Sequence, residues 1–191
     1  MDIDKFIDDV NNADWQKFDD AEYFRDRYDG IDSFAQAVPP PLIALALIDK
    51  ESNDMLNMKM LKKQGMSRTD FISNATIESN VRFAIGNDHR GTYYPVIREA
   101  LPFIIEVALY GNHVVARNCA INALIDLYGF EPEGSFDPEG DADELSKFVD
   151  KAIKDMVARH RENFSKFAVD DPRNKSLIED LFRYVDKQDE V

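Results

Sequence analysis

Two adjacent apolar segments constrain the fold of this chain more than anything else in it. "YPVIREALPFIIEVALYG", from Tyr94 to Gly111, is followed after a short polar break by "HVVARNCAINALIDLYG", from His113 to Gly129. In the first, polar residues are confined to Arg98, Glu99 and Glu106, a narrow stripe at helical spacing. In the second, helical from about His113 to Tyr128, Asn118, Asn122 and Asp126 recur every four residues on one face. Val115, Cys119, Ile121, Leu124 and Ile125 fill much of the rest. Helices apolar over so much of their girth must be covered on several sides. The pair therefore predicts a helical hairpin inside a stack of helices. Pro102 falls on the polar stripe, where water can satisfy the Arg98 carbonyl that a proline leaves unbonded. A bent helix with a wet proline side is expected.

The flanking sequence supplies further helical patterns. "DIDKFIDDVNN" and "ADWQKFDDAEYFRDRY" carry aromatics at helical spacing, namely Trp15, Phe18, Tyr23, Phe24 and Tyr28, read as core-facing. The run from Ala37 to Gly65 opens on prolines suited to a helix start. It reads as a hairpin broken near Ser52-Asn53-Asp54. Residues 66–94 are the least regular. Ser67 or Thr69 is placed to cap a short helix through Asn80, followed by another from Val81 to Ile85 and a turn at Gly86-Asn87-Asp88. After Gly129 comes "FEPEGSFDPEGDADE", a loop with seven acids and no base. Two helices finish the chain, from about Asp143 to Ala168 and from Pro172 to Lys187. The expectation is a single all-α domain over residues 1–191, a short solenoid of stacked antiparallel helix pairs, with the acidic loop near 130–144.

At 191 residues the chain is long enough to bury a substantial core without disulfides or metal. Cys119 is its only cysteine, which favours a reducing compartment and a cytoplasmic protein. The acidic start "MDIDKFIDDV" does not read as a signal peptide, and no run approaches membrane-spanning length. A net charge of −14 argues against nucleic acid and favours a basic protein partner. The seven carboxylates near 130–144 concentrate that field, and Asp137, Glu139, Asp141, Asp143 and Glu144 are the candidate partner-binding residues. A plain solvated linker is the other reading of the same loop.

Chemistry-bearing patterns are weak. His89, His113 and His160 fall in separate elements, so no metal site or cofactor is expected. Cys119 lies on an apolar face and reads as a buried small hydrophobe, while His89 reads as a hydrogen-bonding group at a helix end. Gly86 and Gly91 have phosphate-loop spacing, but Thr92-Tyr93 stands where Lys-Ser/Thr is required. Asp137, Glu139, Asp141 and Asp143 alternate as calcium ligands do, yet Phe148 occupies the position of the closing glutamate. No catalytic residue is assigned, and a non-enzymatic protein is expected.

Two helix starts share a spacing. Arg117 is followed by Ala120 and Leu124, and Lys175 by Ile178 and Phe182. This resembles the second helix of a HEAT-type repeat, and Asp171-Pro172 matches the Asp-Pro usual in its turn, whereas His113 departs from it. "HRGTYYPVIREALPFIIEV" resembles a bacterial family of small HEAT-like proteins with a His-x-Gly-Thr and Ala-x-Pro-Phe pattern. His89, Gly91, Thr92, Tyr94, Ala100, Pro102 and Phe103 occupy those positions, and Asp14-Trp15 and "AVPPPLIALAL" resemble its opening segments. The resemblance implies an immunity-type inhibitor that neutralises a bacterial toxin by binding it. A HEAT-like scaffold or adaptor with a housekeeping partner is the alternative.

Overall fold

The computed structural model describes residues 1–19, 33–49, 77–133, 142–169 and 172–187. The described chain is predominantly helical. Asp2 caps helix α1 (Ile3–Asn12), its carboxylate accepting from the Lys5 amide at 3.2 Å, and turns Phe6 and Val10 into the core. A 3-10 turn (Trp15–Phe18) follows where a longer helix was expected; Tyr23, Phe24 and Tyr28 lie outside the described residues. Trp15 is buried, its indole N–H donating to the Val10 carbonyl at 2.8 Å. Phe6 and Trp15 both pack on Phe103.

Ser33 caps the short helix α2 (Phe34–Ala37), and Pro39 opens helix α3 (Pro39–Leu47). Leu42 to Ala46 are all buried, so α3 is covered around its circumference rather than along one stripe. The proposed break near Ser52-Asn53-Asp54 and the cap at Ser67 or Thr69 lie outside the described residues. Helix α4 (Ile77–Ile85) is continuous through Asn80 and Val81, where a boundary between two helices was expected.

Strands, which the sequence did not announce, follow α4. Strand β1 (Gly86–Asn87) pairs antiparallel with β2 (Thr92–Tyr93), and β2 pairs parallel with β3 (Glu131–Pro132). Two-residue strands are too short to show alternation, so turn chemistry carries them. Arg90 N–H donates to the Asn87 backbone and side-chain oxygens, and Gly91 adopts φ +66°, which favours glycine. Gly86 has a second reason to be glycine: a Cβ there would lie 2.7 Å from Tyr93 Cα.

Helices α5 (Ile97–Tyr110) and α6 (Val114–Gly129) form the expected central hairpin. Leu101, Ile104, Val107, Ala120 and Leu124 are fully buried. Pro102 sits inside α5 on its exposed side, as its place on the polar stripe required. Helices α7 (Ala142–Val169) and α8 (Pro172–Lys187) match their sequence patterns closely, except that His160 breaks α7 with φ −118° and ψ 15°. They run antiparallel, since Arg161 reaches Asp186 while Phe167 lies beside Asn174. The buried apolar side chains of all these helices, from Phe6 to Val185, join in one cluster.

Arg117 has a direct structural role at the α5–α6 turn. Its Nε donates to the Ala108 carbonyl at 3.1 Å across the α5–α6 turn, and its guanidinium lies 3.8 Å from the Phe167 ring centroid on α7. One side chain thus ties three helices. Lys175, its counterpart on α8, is exposed and stands 3.8 Å from Glu179. Ala120 and Ile178 are both buried, so the two sites share the apolar positions but not the work of the base.

Candidate functional site: the acidic surface and its supports

Of the five carboxylates singled out in the sequence, Asp137, Glu139 and Asp141 lie outside the described residues. Asp143 and Glu144 are exposed in the first turn of α7, where negative charge complements the helix dipole. Glu144 also accepts from Lys147 Nζ at 3.0 Å. Both residues therefore have a role in the helix itself.

The stretch read as one loop is narrower than expected at both ends. Glu131 and Pro132 form β3, and the chain from Ala142 is helical. Glu131 N–H donates to the Gly91 carbonyl at 3.0 Å and Glu133 N–H to the Tyr93 carbonyl at 2.9 Å. The Glu133 carboxylate, only 10% exposed, accepts from Thr92 Oγ1 at 2.8 Å and lies 3.9 Å from Arg90. One of the seven acids is thus consumed as a fastener. Glu131 stays exposed on the outer strand. Tyr93 is buried, and burial pushes its phenol up to about 12. Strand β2 therefore holds β3, the flank from which the chain enters the acidic segment.

A second polar constellation underlies the hairpin. Arg82, 8% exposed on α4, bonds through Nε to Asp88 in the turn between β1 and β2. Its Nη2 donates to Ser79 Oγ at 3.0 Å, and Ser79 Oγ donates to Asp88 Oδ2 at 2.9 Å. Arg82 Nη1 lies 2.9 Å from Asp126 Oδ2 on α6, off-axis for a hydrogen bond but in charge contact. Burial raises the Asp126 carboxyl, Arg82 opposes this, and the neighbouring Asp88 and Glu78 add to it. Asn118 and Asp126, which share a polar face in the sequence, both meet partners on neighbouring helices, with the Asp126 side chain left 45% exposed. Asn118 Nδ2 donates to Asn174 Oδ1 at 3.0 Å, and Asn174 in turn donates to the Phe167 carbonyl.

The other candidates resolve individually. Cys119 is buried, and burial pushes its thiol up to about 12, so it is not a thiolate near neutrality. His89 sits exposed in the hairpin turn, edge-on to Phe83 at 4.8 Å, rather than at a helix end. His113 precedes α6, and His160 meets Tyr110 edge-on. Among the described residues no group of three His, Cys, Asp or Glu side chains is placed to hold a metal ion. No helix among them is long and apolar enough to cross a membrane.

Comparison of the chain with protein-family models, with curated proteins and with solved structures finds no match.

Proposed function

We propose that this chain is a non-enzymatic binding protein of immunity type, which neutralises a bacterial toxin by covering a basic surface on it. The supporting observation is the acidic segment between Glu133 and Ala142, flanked by exposed Glu131, Asp143 and Glu144, in a chain of net charge −14. A single-sign field of this kind speeds encounter with a cationic protein and repels polyanions. The helices are proposed to stack as a short HEAT-like solenoid in a cytoplasmic protein. The antiparallel pairs α5–α6 and α7–α8, tied by Arg117, support that arrangement.

The test is genetic and biochemical. The product of a toxin reading frame adjacent to this gene should arrest growth when expressed alone and be neutralised by co-expression of this chain. Purified together, the two should form a complex of fixed stoichiometry. Persistent toxicity and no complex would reject the immunity reading and leave the scaffold or adaptor role.

A further inference from the structure

We infer that Arg82 and Asp88 are positioning residues for the acidic surface: their buried network fixes the β1–β2 hairpin, and the hairpin fixes strand β3. The residues form an unbroken path. Asp88 is in the turn, bonded to Arg82 and Ser79 of α4. The turn delivers Gly91 and Tyr93, whose carbonyls accept from Glu131 and Glu133. Asp126 sits on the same guanidinium and only five residues before Glu131. Arg82 therefore grips the hairpin through Asp88 and stands in charge contact with Asp126 on the helix leading into β3.

An arginine suits this place for a geometric reason. The β strands are two residues each, too short to hold their own register against solvent. Only Tyr93 among the strand residues carries a large apolar side chain into the core. Holding the turn thus falls to directional bonds, and a planar guanidinium supplies several at fixed angles. Removing Asp88 leaves the Arg82 guanidinium, 10% exposed, facing only the half-exposed Asp126, so the hold on the turn depends on the Arg82–Asp88 pair.

The consequence for function rests on the proposed reading of the acidic surface. The structural coupling is measurable on the protein alone, so its failure is distinct from failure to find a toxin. Native-state hydrogen exchange by NMR should be measured in wild type and in Asp88→Asn. The expected result is that the Glu131 and Glu133 amides exchange about tenfold faster, the size given by losing one charge-assisted hydrogen bond. The Leu101 and Leu124 amides should be unchanged. Unaltered exchange at Glu131 and Glu133 would overturn the coupling. An equal increase at every amide would also overturn it, by reducing the network to general stability. If Asp88→Asn does not fold, Arg82→Lys, which keeps the charge and loses the fork, is read in the same way. Failure of both to fold would contradict a local positioning role.

Discussion

Individual residues carry their chemistry through burial. Asp126 touches Arg82, yet its carboxyl is raised, so the attraction does not repay the loss of water. The sign follows from linkage. An acid whose folded-state value is raised binds its proton more tightly when folded, so stability grows as pH falls from neutral through that value, above the usual 3.8. Asp126→Asn should therefore be neutral or slightly stabilising near pH 7, since solvent screens this half-exposed group, and should flatten that part of the profile. Urea midpoints from pH 7 down to pH 4 check this; a steep loss of stability at pH 7 would contradict it. Leu101 and Leu124 are both fully buried in the central hairpin. Either changed to Asp should cost more than about 4 kcal/mol and leave no cooperative unfolding transition at ambient temperature. Soluble, cooperatively folded variants would refute that.

Elements were legible in proportion to how long their periodic pattern ran. The helices from Ile97 to Gly129 and from Ala142 to Lys187 follow their patterns to within a few residues, because apolar positions at helical spacing repeat over several turns. The hairpin between Asn87 and Thr92 was hidden, since strands of two residues carry no period and their register comes from Gly91 and the Asn87 turn. The break at His160 was equally hidden, lying inside an uninterrupted helical pattern. At the site, the exposed Asp143 and Glu144 were visible as charge, whereas Arg82, Asp88 and Asp126 come together only in three dimensions. Pro102 tests helix α5 directly. It is exposed and costs the helix one hydrogen bond at Arg98. Pro102→Ala should raise stability, by up to about 3 kcal/mol in denaturant titration, because alanine restores that bond on the solvent side. A destabilised variant would show that the proline itself is required for packing.

The whole molecule joins a helical body, built around α3 and the α5–α6 hairpin, to a small sheet whose outer strand β3 precedes the acidic segment, with helix α7 after it. The central claim is that this segment meets a basic partner. It is tested most directly by the association rate between this chain and the adjacent-frame toxin at several ionic strengths. Wild type should be compared with the variant in which Asp137, Glu139, Asp141, Asp143 and Glu144 are replaced by Asn or Gln. Charges of this kind act by steering and are screened over about 8 Å at physiological salt. The account predicts a wild-type rate that falls steeply with salt, and a variant that associates at least about tenfold more slowly at low salt with a flattened slope. Coincident rates across the series, with both proteins equally folded, would contradict it.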